Sequence, residues 1–279
     1  MQSYLLVGIL ALVALSLAVN IYLLRKVQWV FRRSNQLKRS MDRKFRQQFR
    51  QMQCLQALHE DLALPASLPP TGGKAASADF LKLVADLVRE EKPAVVVECG
   101  SGLSTVVIAR CLQLNGGGQV FSLEHMEKFA AQTRKELSRR GLSDWARVID
   151  APLERLESHG REVRWYRAAA LPDLPIDLLI VDGPPARTGT TPRYPAGPVL
   201  FPRLSPQGAV LVDDAGRPEE RAVVERWRRE FPDLEFKSNV EDYEKGVCVV
   251  RAAAAQRQPY EEASAGPADA ALGSVRGLR

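Results

Sequence analysis

Cysteine is scarce in this 279-residue sequence, and the four that occur show no paired spacing, which excludes a disulfide framework and a cysteine-based metal knuckle. Charge is missing where it would be most informative. Residues 1–24 contain no Asp, Glu, Lys or Arg, and residues 25–53 hold ten basic side chains against the single acid Asp42, a local net of +9. The formal charge of the whole chain is +6, so the remainder, +6 less +9, sums to −3. A slightly acidic globular part has no electrostatic footprint for a phosphate backbone, so the composition points to no nucleic-acid partner. Glycine (19) and proline (18) are unremarkable in number, and 46% hydrophobic with 26% charged residues excludes collagen, a wholly disordered chain and a polytopic membrane protein.

The uncharged stretch from Tyr4 to Leu24 is broken only by Gly8, Ser16 and Asn20. As a helix it would span about 31 Å, close to the hydrocarbon thickness of a bilayer. A cleaved signal peptide competes with an anchor, but the run exceeds a signal core and no Lys or Arg precedes it. Arg25, Lys26, Arg32 and Arg33 follow it at once, so the positive-inside rule places the rest of the chain in the cytoplasm, as a single-pass membrane protein. Residues 1–24 are thus expected as the transmembrane anchor and 25–64, free of Gly and Pro, as a basic helical segment. Its sparse apolar stripe, including Phe31, Met41, Phe45 and Phe49, reads as a solvated spacer, a homo-oligomer contact or a face for anionic headgroups.

Pro65, Pro69, Pro70, Gly72 and Gly73 mark a linker over 65–77. From 78 to 251, helical patterns alternate with short β-branched runs: a strand at Ala94–Glu98, a helix at Ser104–Leu114, a strand at Gln119–Glu124, a helix at Met126–Arg140 and a strand at Ala146–Asp150. A short helix is expected at Pro152–His159, strands at Ile176–Asp182 and Gly208–Asp213, a helix at Pro218–Phe231, and a final pair of strands at Leu234–Val240 and Gly246–Arg251. This alternation predicts an α/β fold with a doubly wound, mostly parallel seven-stranded sheet closed by an antiparallel hairpin. Residues 252–279 lack periodicity and read as a disordered tail.

Ligands of such sheets bind outside the carboxyl ends of the strands. The first tip reads Glu98, Cys99, Gly100, Ser101, Gly102, Leu103, Ser104, Thr105. Gly100 and Gly102 permit a tight turn and close approach of a ligand to backbone, and the following helix offers free N–H groups. A dinucleotide fingerprint would place a third glycine where Thr105 stands, and Glu98 suits a cationic amine better than a pyrophosphate. At the second tip Glu124, followed by His125, can accept both hydroxyls of a ribose, and at the third Asp150 can accept from an adenine amine.

The ordered set resembles the class I S-adenosylmethionine-dependent methyltransferases, in particular the branch with an E-x-G-S-G-x-S-T glycine motif. The resemblance covers about Ala78 to Arg251 and implies S-adenosylmethionine as cofactor. It implies that Gly100 and Gly102 border the methionine part, that Glu98 helps hold its amine, that Glu124 grips the ribose and that Asp150 sits near the adenine, with Ser101, Ser104, Thr105, His125 and Asp182 as further cofactor-binding candidates.

The fourth and fifth tips carry Asp182 and the pair Asp213-Asp214. Three converging carboxylates repel unless protonated or bridged by a cation, and Mg²⁺ suits hard oxygen ligands. The pattern is similar to that of metal-dependent O-methyltransferases such as catechol O-methyltransferase, with Asp214 where that family often has Asn and Gly-Pro-Pro after Asp182 as a departure. The alternative is that these acids cap helices or contact the cofactor. With metal, an acceptor hydroxyl would be ionised by it; without metal, His125 or Asp182 is the candidate base. Arg187, Arg193 and Tyr194, in the long loop 183–206, are candidates for binding a small-molecule, glycan or lipid-linked acceptor. The resulting expectation is a membrane-anchored methyltransferase acting on oxygen; the alternatives are a catalytically silent membrane scaffold or an NAD-dependent enzyme.

Overall fold

The computed structural model describes residues 1–64, 68–69, 71–73, 75–158, 161–167 and 171–253. Most of the expected tail and part of the 65–77 linker lie outside the described residues. The apolar stretch and the basic rod form a single helix, α1 (Gln2–Leu62), as expected of a sequence with no Gly or Pro between residues 9 and 64. Its large apolar side chains from Leu5 to Leu24 are exposed, as are Phe31, Met41, Phe45 and Phe49.

The far end of α1 behaves differently. The Gln47 amide donates to the Glu244 carbonyl (3.4 Å), Gln51 Oε1 accepts from the Asp79 backbone N–H (3.2 Å), and Leu58 and Leu62 are fully buried. The helix closes on Ala63 in the left-handed region (φ 41°), and the carbonyls of Leu62 and Ala63 accept from the Arg110 guanidinium at 2.8 and 3.3 Å. A cation donating to the last carbonyls satisfies groups that a helix end leaves free.

After α1 come α2 (Ala78–Glu91), β1 (Val95–Cys99), α3 (Leu103–Asn115), β2 (Gln119–Glu124), α4 (Glu127–Arg139) and β3 (Ala146–Asp150). They are followed by β4 (Leu153–Ser158), β5 (Arg161–Tyr166), β6 (Ile176–Val181), the short α5 (Ala196–Leu200), β7 (Leu204–Val212), α6 (Pro218–Glu230), β8 (Leu234–Asn239) and β9 (Val247–Ala252). The main sheet has the order β3-β2-β1-β6-β7-β9-β8. This is the expected seven-stranded α/β sheet, parallel except at β9, which runs antiparallel to both β7 and β8. Only seven residues join β8 to β9, too few for a parallel crossover, so the chain must reverse there.

Alternate residues of each strand enter two cores. Val96, Leu178, Ile180 and Leu211 pack with α2, α3 and the buried end of α1. Val97, Leu179, Val181, Val210 and Val212 face Trp165, Trp227 and α6 on the other side. A strand buried on both faces needs an apolar run, which β1 carries over residues 95–97 and β6 over residues 178–181. Strand order reverses between β1 and β6, so their tips at Cys99 and Val181 frame the crevice where such sheets take ligands.

One expected element is wrong. Of the segment expected as a helix at 152–159, residues 153–158 form strand β4, paired antiparallel with β5 as a two-stranded ribbon, and residue 159 lies outside the described residues. Leu153 and Leu156 have helical spacing, but they pair with Tyr166 and Val163 of a β-branched and aromatic strand, and cross-strand pairing outweighs the local pattern.

Because Leu62 is fully buried whereas Leu37 is exposed on the same helix, Leu62→Ala should destabilise the domain by about 2–5 kcal/mol and Leu37→Ala by an amount within error. Urea unfolding of the full chain in detergent, followed by tryptophan fluorescence, measures both.

Candidate functional site

A cavity of about 770 Å³ opens at the β1/β6 switch point. Its floor is the turn after β1. The Gly100 N–H donates to the Leu123 carbonyl (2.9 Å) with φ at +103°, a conformation that favours glycine, and a Cβ there would sit 3.6 Å from the Asp182 carbonyl oxygen. Gly102 is different. Its backbone is extended and nothing lies within 4 Å of an added Cβ, so neither strain nor packing demands glycine, and what the missing side chain leaves is open space beside the cavity.

Thr105, in place of a third glycine, ties this turn together. Its hydroxyl accepts from the Gly102 N–H (3.0 Å) and donates to Glu98 Oε2 (2.6 Å), which also accepts from Ser122 Oγ (2.5 Å). Glu98 has no solvent exposure and does not line the cavity. Burial pushes its carboxyl from 4.5 up to about 7, with neighbouring hydroxyls pulling the other way.

Glu124 lines the cavity. Its Oε2 accepts from the Ser101 N–H (3.1 Å) and hydroxyl (3.3 Å), and its Oε1 accepts from the Met126 N–H (2.9 Å). Each carboxylate oxygen has two lone pairs; Oε2 uses both on Ser101, so accepting capacity remains at Oε1. His125 Nδ1 lies 3.1 Å from Glu124 Oε1, and its ring meets Tyr166 edge-on at 6.1 Å. Burial lowers the His125 pKa, partly opposed by Glu124 and aided by Arg187, so the imidazole is neutral at pH 7. Ser101, Ser104, Asp182 and Arg187 also line the cavity. Asp150 does not. It is exposed on the surface, paired with Arg134 at 2.7 Å.

The loop residues part ways. Tyr194 is 1% exposed, with its hydroxyl donating to Glu230 (3.0 Å) and its backbone carbonyl accepting from Trp227 Nε1 (2.9 Å), so it serves the core and not an acceptor. Arg193 is 3% exposed and lies among the acids. Its Nη2 reaches Asp214 Oδ2 at 2.7 Å and Asp182 Oδ1 at 3.1 Å, its Nη1 donates to the Asp213 carbonyl at 2.7 Å, and its Nε lies 3.6 Å from Glu220 Oε1. Burial works against the guanidinium charge, but Asp182, Asp214, Glu220 and Asp213 together hold it protonated.

Ligand oxygens of Asp182, Asp213 and Asp214 lie within 4.8 Å of one another, so the sequence rightly gathers them. A metal nevertheless fits poorly, because the space between Asp182 and Asp214 is bridged by a cation already present. Asp213 is fully buried with both carboxylate oxygens unpartnered, and burial, followed by the charges of Asp182 and Asp214, raises its pKa to about 8.

Tyr166, Arg217 and Lys245 also line the cavity and were not anticipated. Tyr166 ends β5, a strand in a stretch to which the sequence pattern assigns no element; Lys245 comes from the β8–β9 turn and donates to the Ala75 carbonyl (3.0 Å).

Residues 97–215 match the family model described as a methyltransferase domain, and residues 22–155 match that of protein-L-isoaspartate(D-aspartate) O-methyltransferase, each less than half of the chain. No curated protein matches the sequence. Among solved structures, an SAH-bound methyltransferase from Podospora anserina is 17% identical over 72% of this chain and 88% of its own, with a TM-score of 0.49. An O-methyltransferase from Bacillus cereus in complex with SAH is 18% identical over 72% and 91%, with a TM-score of 0.48. The O-methyltransferase TomG from Streptomyces achromogenes, in complex with SAM, is 17% identical over 72% and 88%, with a TM-score of 0.46. At such identities and TM-scores these structures say nothing about chemistry.

The raised pKa of Glu98 has a signed consequence. Between 4.5 and about 7 the folded chain keeps a proton that the unfolded chain releases, so stability should fall as pH rises through that window, by about 3 kcal/mol in all. Glu98→Gln should remove that part of the slope, as read by denaturant unfolding at pH 5 and pH 7.5.

Proposed function

We propose that this chain is an S-adenosylmethionine-dependent methyltransferase held at a membrane by α1, with its catalytic domain in the cytoplasm and an acceptor methylated on oxygen. The observation that carries it is the Gly100–Gly102 turn lying against the Glu124 carboxylate at the sheet's switch point, inside the stretch matched by the methyltransferase model. The O-methyltransferase model over 22–155 supports oxygen as the receiving atom.

Bound S-adenosylmethionine would supply a methyl group on a sulfonium, whose departure leaves a neutral thioether. The protein's part is positioning and exclusion of water. Glu124 would accept a ribose hydroxyl at Oε1, where Met126 leaves a lone pair free, and a second at Oε2 on displacing the Ser101 hydroxyl. Glu98, beneath the loop, holds the turn through Thr105 and Ser122 instead of facing the cavity. His125, neutral and at the cavity wall, is the group suited to take the acceptor's proton at its imidazole nitrogen. Arg187 remains as the loop cation for an acidic small-molecule, glycan or lipid acceptor. No step is assigned to Mg²⁺.

Membrane attachment is supported by α1, whose apolar part has a mean hydropathy of 2.4 and no buried residue, followed by the basic cluster from Arg25. Membranes carrying the full chain should retain it through alkaline carbonate extraction and release it only to detergent.

Calorimetric titration of S-adenosylhomocysteine into the detergent-solubilised full chain should show micromolar binding. Gly100→Arg should abolish it and Glu124→Ala should weaken it at least about tenfold. Unchanged binding in both variants would sink the proposal, as would protection against thermal unfolding by NAD in place of S-adenosylhomocysteine.

A further inference from the structure

We propose that Arg193 is the resident cation of the strand-end acid cluster and stands where a divalent ion would otherwise sit, so that this edge of the sheet works without metal. Asp182 ends the β6 tip and Asp213 and Asp214 follow β7, and a divalent ion would have to contact their oxygens at roughly 2.0–2.6 Å. Arg193 Nη2 already lies 2.7 Å from Asp214 Oδ2 and 3.1 Å from Asp182 Oδ1, between the two acids an ion would bridge. The same guanidinium donates to the Asp213 carbonyl at 2.7 Å and approaches Glu220 at 3.6 Å.

An arginine is not deprotonated in a protein, so a dication entering the cluster would meet a fixed positive charge unless the side chain swung out. The neighbouring backbone resists that movement. Tyr194 is locked in the core by Glu230, and its carbonyl accepts from Trp227 Nε1 at 2.9 Å. A Cβ on Gly197 would lie 2.3 Å from the same indole nitrogen, so the chain after Arg193 runs hard against Trp227. Asp214 is held a second time by Arg217 at 2.9 Å. Arg193 is therefore a positioning residue: it fixes two acids that border the cavity and supplies the charge that a sheet edge with these carboxylates requires.

The substitution of guanidinium for metal concerns only the chain's own residues. A consequence for the acceptor rests on the methyltransferase reading. Without a metal at this edge, an acceptor hydroxyl would lose its proton to a protein base and not to a Lewis acid.

Mn²⁺ is the probe, because bound and free ion are distinguished by electron paramagnetic resonance whether or not methyl transfer is active. The full-length protein in detergent should bind no Mn²⁺ at millimolar ion. Arg193→Ala, shown to be folded by near-ultraviolet circular dichroism, should acquire one Mn²⁺ per chain, and adding Asp182→Asn should abolish it again. Stoichiometric Mn²⁺ on the unaltered protein overturns the proposal, and so does a folded Arg193→Ala that takes none. Should Arg193→Ala not fold, Arg193→Lys keeps a cation at the position and should remain free of Mn²⁺, while ion bound to it overturns the proposal. S-adenosylhomocysteine titration of the unaltered protein is a separate measurement, so failure of the methyltransferase reading leaves the Mn²⁺ result standing.

Discussion

The contact of Arg193 with Asp182 and Asp214 answers a problem that the fold itself creates. Parallel strands buried on both faces carry their polar residues at their ends, and β6 and β7 deliver three carboxylates to one place. Isolated ionised carboxylates are not tolerated in such surroundings. A buried guanidinium with donors spread across a plane reaches two carboxylates and a backbone carbonyl at once, which lysine's single ammonium cannot do in the same geometry. Removing one partner would leave the others uncompensated, which is why the loop that brings Arg193 is anchored so firmly by Tyr194 and Trp227.

The glycine turn on the other side of the cavity is held by hydrogen bonds to two acidic side chains. Glu98 sits out of solvent beneath the glycine turn and shapes it through two hydroxyls, while Glu124 braces the turn from the side through the Ser101 N–H. Two acids of the same kind, on adjacent strands, thus have different work. The one under the turn is driven towards its neutral form by burial, whereas the one at the wall keeps accepting capacity at Oε1 for a ligand.

The stalk belongs to this arrangement more closely than a spacer would. The last turns of α1 contribute Leu58 and Leu62 to the core, and Gln47 and Gln51 reach the β8–β9 turn and the start of α2. Lys245 of that turn and Ala75 and Ala76 ahead of α2 line the cavity. The proposed membrane helix and the cavity walls are therefore joined through a short chain of packed residues, with no break in the helix between them.

Much of this was legible in the sequence because it depends on local pattern. The period of apolar residues, the breakers at Pro93 and Gly100, and the acids closing each apolar run determine the alternation of helices and strands, the seven-stranded sheet and the gathering of Asp182, Asp213 and Asp214. The uncharged run and the basic segment likewise determine one long helix, since nothing within it can end it. What the tertiary structure alone decided depends on partners distant in the chain. Leu153 and Leu156 have helical spacing until β5 offers them a strand. Arg193 looks like a loop cation until the fold carries it among four acids, and Tyr194 looks like a ligand contact until Trp227 and Glu230 enclose it. A side chain's charge and shape are properties of the residue, but whether it meets solvent, a ligand or an opposite charge is set by which other strand ends arrive beside it.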